Sequence, residues 1–216
     1  MRLACCVLIL LFQPSFVGLR SCLWTQDLPQ AYKVMDSVTF DKVLDLVFQH
    51  DEANRHYDFS LRFKPSNAPE LQIYIKQTGT KTQVVEYTSR SGNIFMKLDK
   101  ILENGGKEDV VEMARQIQVN KRILDVPLAQ ANQWWMGLPD AIATTIKLLE
   151  QRRAEAAKGV GVIVLDGTHY SFTYQQGISD IIVDIIDNEI SCREVTGEAE
   201  LVRWMNRVRC DVEKLK

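Results

Sequence analysis

Residues 58–64 read Asp-Phe-Ser-Leu-Arg-Phe-Lys. In an extended chain Phe59, Leu61 and Phe63 fall on one side and Ser60, Arg62 and Lys64 on the other, the period of a strand with one buried face. The turn-forming stretch from Pro65 to Pro69 ends it. Leu71, Ile73 and Ile75 then alternate with Gln72, Tyr74 and Lys76, and a turn at Gly79 leads to a further strand from Thr82 to Thr88. Two such runs joined by a short glycine-containing loop read as an antiparallel hairpin.

Outward from this block the period changes to that of helices. Before it, Phe40, Val43, Leu44, Val47 and Phe48 are spaced i, i+3, i+4, i+7, i+8, which predicts an amphipathic helix over 39–50. After it, Ser91-Gly92-Asn93 signals a helix start, with Ile94, Leu98, Ile101 and Leu102 on one stripe. Gly105-Gly106 stops that helix, and Val110, Met113, Ala114 and Ile117 mark the next, with Pro127 beyond it. Residues 128–158 read as helical but interrupted at Gly137-Leu138-Pro139. Proline fits the first turn of a helix and not its interior, so a short helix bearing Trp134 and Trp135 and a new one from Pro139 are expected. In the latter, Ile142, Ile146 and Leu149 should face the core.

The remainder repeats the opening plan. Val160–Leu165 is an apolar run followed by Asp166-Gly167, a strong hairpin signal. Its expected partner carries Tyr170, Phe172 and Tyr174 on one face and His169, Ser171 and Thr173 on the other. A turn at Gly177 leads to a strand with Ile181, Val183 and Ile185 on one side. Ile182 and Ile186 flank Asp184 on the other, so both sides are expected to be covered. A last helix opens at Thr196-Gly197, with Leu201, Met205, Val208, Val212 and Leu215 as its buried stripe. The hairpin segments 71–79 (LQIYIKQTG) and 169–177 (HYSFTYQQG) are locally alike. The fold class expected is therefore α+β: an antiparallel sheet of about six strands in two β-β-β-α units, a candidate duplication, with helices packed on one face. The domain would span 39–216, with candidate halves 39–125 and 126–216.

The N-terminus has a different character. Arg2 precedes ten consecutive apolar residues, Leu3–Phe12, and Pro14 breaks the run. A short positive region followed by an apolar stretch too brief to span a bilayer is the anatomy of a secretory signal, here 1–22. Residues 23–38 would then be a linker. Leu19-Arg20-Ser21-Cys22 resembles the bacterial lipobox: Leu19, Ser21 and Cys22 match, whereas Arg20 stands where a small or aliphatic residue is usual. Cys22 is thus a candidate for lipid attachment, the alternative being plain release. Lipidation would anchor the chain to a membrane without spanning it. A periplasmic or extracellular location permits disulfides, and Cys192–Cys210 is the natural pair if Cys22 is acylated.

Charge and motif narrow the function classes. Lys and Arg total 26 against 28 Asp and Glu, without the basic excess of a nucleic-acid binder. His50 and His56, six residues apart, would diverge by about 240° on a helix, so they make no ligand pair, and no metal or cofactor is expected. His169 and Ser171 lie roughly 7 Å apart along a strand, too far for a nucleophile and base without help. Arg203, Arg207 and Arg209 interleave with Glu198, Glu200, Asp211 and Glu213, the pattern of a solvated helix face with internal ion pairs. Of two adjacent tryptophans on a helix at most one points fully inward, so Trp134/Trp135 is a candidate contact surface. These features point to an exported, non-catalytic binding or envelope-associated protein with a protein or ligand partner. The alternatives are a hydrolase centred near His169 and a structural lipoprotein.

Overall fold

The computed structural model describes residues 35–49, 57–106, 109–158, 167–176, 179–187, 192 and 198–215. All belong to one unit, Lys33–Lys216. Its elements run α1 (Ser37–Val47), β1 (Phe59–Lys64), β2 (Leu71–Thr78), β3 (Lys81–Ser89), α2 (Ile94–Glu103), α3 (Val110–Arg115), β4 (Val119–Val126), α4 (Leu128–Ala156), β5 (Thr168–Gln176), β6 (Ser179–Asp187) and α5 (Glu200–Lys214). Cys22 and the expected signal segment lie outside the described residues, as do His50, His56 and Asp166. Met35 is buried and Asp36 caps α1, so the fold begins inside the expected linker.

The six strands form one sheet in the order β4-β3-β2-β1-β5-β6, with every pairing antiparallel. The α+β class is as expected. Strand β1 sits near the middle, Leu61 lying opposite Ile73 of β2 on one side and Phe172 of β5 on the other. The β2–β3 hairpin closes through Gly79-Thr80 with Gly79 at φ 59°, the two-residue loop with glycine first that twisted hairpins favour. Two expectations about the strands change. Residues 119–126, read as the continuation of a helix, form edge strand β4. Both edges of β5 are occupied by β1 and β6, and the strand expected at 160–165 lies outside the described residues. The described strands therefore divide four and two between the halves, not three and three.

Helices cover both faces of the sheet, which corrects the one-faced arrangement. On the first face Phe59, Leu61, Phe63, Ile73, Ile75, Tyr170 and Phe172 pack beneath α4 and α5. On the second, α1, α2 and α3 pack Val43, Leu44, Phe48, Leu98 and Met113 against Tyr74, Val85 and Tyr87. Tyr74, placed by alternation on the polar side of β2, is fully buried and donates its hydroxyl to the Phe48 carbonyl at 3.3 Å. That bond offsets part of the cost of burying the phenol.

Helix α4 runs unbroken through Pro139. Its fully buried stripe is Ala131, Trp134, Leu138, Ala141 and Thr145; of the expected Ile142, Ile146 and Leu149, the first and last pack half-buried against the core and Ile146 is exposed. Tertiary packing overrides the local signal here. The Trp204 ring of α5 closes to 3.5 Å from where a Cβ on Gly137 would stand, and its Nε1–H donates to the Trp134 carbonyl at 2.9 Å. The start of α5 is satisfied from a distance. Asp187, at the end of β6, accepts from the Glu198 and Ala199 amides, and Thr145 Oγ1 accepts from the Leu201 amide at 2.9 Å. These bonds take up donors that a helix start leaves without intrahelical partners.

Candidate functional site

The second face of the sheet is covered unevenly. Helices α1–α3 lie over β2, β3 and β4, while β5 and β6 present an open surface on which Ile182 and Ile186 are 64% and 53% exposed. This corrects the expectation that β6 is covered on both sides. Between α1 and this open surface lies a cleft of about 250 Å³.

A polar row crosses four strands at the floor of the cleft. The register sets Gln72 opposite Arg62, Arg62 opposite Ser171, and Ser171 opposite Asp184. Period-2 alternation puts all four on one face, because the residues one step to either side of each belong to the first core. Arg62 Nε donates to Gln72 Oε1 at 2.7 Å and its Nη2 to Asp45 Oδ1 at 2.6 Å. One turn earlier on α1, Asp41 accepts from Lys64 Nζ at 2.8 Å. Asp41 and Asp45 meet these two cations because residues four apart share a helix face.

The ion pairs are asymmetric. Arg62 and Lys64 each keep 11% of their side-chain surface, while Asp45 and Asp41 keep 37% and 42%. The cations lie along the sheet and the carboxylates face water. Asp184, more than half exposed, adds a third carboxylate on the far side. The rim that a visitor meets first is therefore acidic, with exposed isoleucines beside it.

His169 and Ser171 both reach this cluster, but through the same acceptor. Ser171 Oγ donates to Asp184 Oδ1, and His169 Nε2 lies 3.6 Å from that same oxygen. No hydrogen bond joins His169 to Ser171 among the described residues, so the relay of nucleophile to base to orienting acid is not assembled. Burial, and then the nearby Lys64 charge, hold the His169 imidazole below its ordinary pKa, with Asp184 and Asp41 opposing. It is therefore neutral at neutral pH. No cluster of three or more metal-ligating side chains occurs among the described residues.

The other sites expected from sequence are placed as follows. Trp134 is buried, and its Nε1–H donates to Asp211 at 3.0 Å. Trp135 packs edge-on against Phe59, with ring centroids 4.8 Å apart. Trp134 thus belongs to the first core, and Trp135 packs half-buried against it. The Trp135 ring sits between Phe59 of β1 and Tyr174 of β5. Cys192 and Cys210 are joined, with sulfur atoms 2.13 Å apart, and Cys210 is buried. Sequence reasoning singled out His169 but missed Asp41, Asp45, Arg62, Lys64 and Asp184. Alternation alone placed Arg62 and Lys64 on the polar side; nothing local links them to α1.

No described helix is long and apolar enough to cross a membrane. No protein-family model matches this chain, and comparison with curated proteins and with solved structures finds no match either.

Proposed function

We propose that this chain is an exported, non-catalytic binding domain that takes a basic polypeptide segment in the cleft between α1 and the open face of β1, β5 and β6. The observation that carries the proposal is the orientation of the ion pairs: in both, the carboxylate is the exposed member and the cation the buried one. Exposed charge governs what approaches, because complementary potential steers encounter and selects partners. Lysine or arginine side chains of the partner would meet Asp41, Asp45 and Asp184, and apolar side chains between them would settle on Ile182 and Ile186. Export rests on the signal-like anatomy of residues 1–22. A membrane tether would act through Cys22 alone. Unchanged membrane association of Cys22→Ser would remove the tether and leave the binding proposal standing.

Backbone amide NMR tests the site. A Lys-Leu alternating heptapeptide should shift the amides of residues 169–173 and 182–186 saturably, less so at high salt, and a Glu-Leu counterpart should not. Asp184→Asn together with Asp41→Asn should weaken binding several-fold. Equal response to the two peptides, or none, would overturn the proposal. The hydrolase reading is favoured by one observation, the approach of His169 and Ser171 to a shared carboxylate. Its signature is ester hydrolysis by the purified protein that disappears in His169→Ala.

A further inference from the structure

A larger cavity, about 680 Å³, opens on the first face of the sheet, beneath the C-terminal half of α5. We propose that it is a second binding site, for a small amphipathic molecule with an apolar body and a single anionic head group.

The size falls in the range of small-ligand sites, which are mostly apolar, largely preformed and furnished with a few placed polar groups. The apolar wall here is Phe63, Leu71, Pro65 and Pro69. The loop carrying the prolines is held in shape from outside the cavity. The Asn93 side-chain amide donates to the carbonyls of Pro65, Ser66 and Ala68 at 3.0–3.2 Å, and Ser66 Oγ donates to the Gly167 carbonyl at 2.8 Å. Asn93 itself is fixed, since its Oδ1 caps α2 by accepting from the Met96 amide. A ligand entering this cavity need not order the loop that forms its wall, which removes one cost of binding.

The polar wall carries two cations, Arg122 and Arg209, and two carboxylates, Glu86 and Glu213; Lys121 also lines it, but its ammonium turns to the other face, over the Tyr87 ring and toward Gln49. Arg122 grips Glu86 through Nε at 3.0 Å and Nη2 at 2.6 Å. In this pair the exposure order of the cleft is reversed: Arg122 keeps 30% of its side-chain surface and Glu86 10%. Arg209 donates through Nε to Glu213 at 3.1 Å, and its guanidinium lies 5.8 Å from the Phe63 ring centroid. The terminal amino groups of Arg209 have no hydrogen-bond partner among the described residues. A guanidinium with its terminal donors open, stacked on the aromatic ring that begins the apolar wall, is suited to a carboxylate, sulfonate or phosphate. The ligand's body would extend from that ring toward the prolines.

The probes are 8-anilino-1-naphthalenesulfonate and its uncharged analogue N-phenyl-1-naphthylamine, titrated into the folded, oxidised protein and followed by fluorescence. The sulfonate should bind saturably at one site, at least tenfold more tightly than the neutral analogue. Arg209→Met keeps an apolar stem on Phe63 and should weaken sulfonate binding at least tenfold while leaving the analogue unaffected. Glu213→Gln should tighten it, because the competing carboxylate is gone. Opposite signs in the two variants separate a lost site from a lost fold, with far-UV circular dichroism as control. Absence of saturable binding, equal affinity for both probes, or an unchanged Arg209→Met would each overturn the proposal. Neither result bears on the cleft of the other face.

Discussion

The two charged hollows lie on opposite faces of the same sheet, and the ion pairs rooted in their strands turn opposite signs outward. In the cleft beside α1, Arg62 and Lys64 lie flat on the strands and the helix brings carboxylates over them. In the cavity beneath α5, Glu86 lies on β3 and Arg122 of the edge strand reaches over it toward solvent. The chemistry of the pairs is the same. What differs is which partner the central strand carries, since the partner supplied by an edge strand or a covering helix stays wet. The buried member determines stability, and the exposed member determines what the hollow can attract.

Removing the Cys192–Cys210 bridge should be the largest perturbation, and it should fall on one side of the comparison. The bridge closes a loop over a sequence separation of 18 and ties down α5 at the residue next to Arg209. Its loss in Cys210→Ser should cost about 3 kcal/mol by loop entropy. Chemical denaturation reads that cost. Hydrogen exchange should show the loosening in α5 with α1 unchanged; equal loosening of α1 would mean that the two faces are one cooperative unit.

Within the cleft, the buried and exposed members of a pair should differ in the same direction. Arg62→Met strands the Gln72 carbonyl in a buried position and should cost about 2 kcal/mol, the typical penalty for an unsatisfied buried partner. Asp45→Asn keeps a hydrogen-bond acceptor at a partly wet site and should cost less than about 1 kcal/mol. Equal losses would break the claim that burial divides the roles.

The smallest effect is a titration. Burial and Lys64 lower the His169 pKa, and Asp184 opposes them. Asp184→Asn should lower the imidazole midpoint further in an NMR pH titration, and Lys64→Met should raise it. A folded-state pKa below the unfolded value means that the histidine's contribution to stability is complete above the unfolded pKa. That contribution is lost as pH falls through the folded one. Acid unfolding should therefore begin at slightly lower pH in His169→Gln. A midpoint insensitive to both neighbours would remove His169 from the cleft's charge network.

Strands β1, β2, β5 and β6 were legible because each alternates over at least five residues with one apolar side, and β3 because the glycine turn after β2 leads into it. Strand β4 was not. Val119–Val126 is an edge strand whose residues are mostly exposed or half-buried, so little burial is left to write a period, and the helical stripe 110/113/114/117 runs straight into it. The second core was half-visible: Val84-Val85 and the aromatic residues Tyr74 and Tyr87 break strict alternation, as strands buried on both faces do. Pro139 misled because a local rule about proline met a helix held by Trp204 from another element. Of the candidate site, the sequence supplied His169 and its polar face. The carboxylates that complete the cleft come from a helix more than a hundred residues earlier and from the next strand.

What the sequence by itself determined is the local grammar: which segments alternate, which faces of α1, α2 and α5 are apolar, and where Gly79 turns the chain. These depend on residues a few positions apart, within reach of a period of 2 or 3.6. Only the tertiary structure decided that helices take both faces of the sheet, that Trp134 is core with Trp135 half-buried beside it, and that β5 and β6 keep an open side. It also decided which member of each ion pair meets water. Those outcomes depend on strand order and helix placement, which join residues distant in the chain, and no local period carries that information.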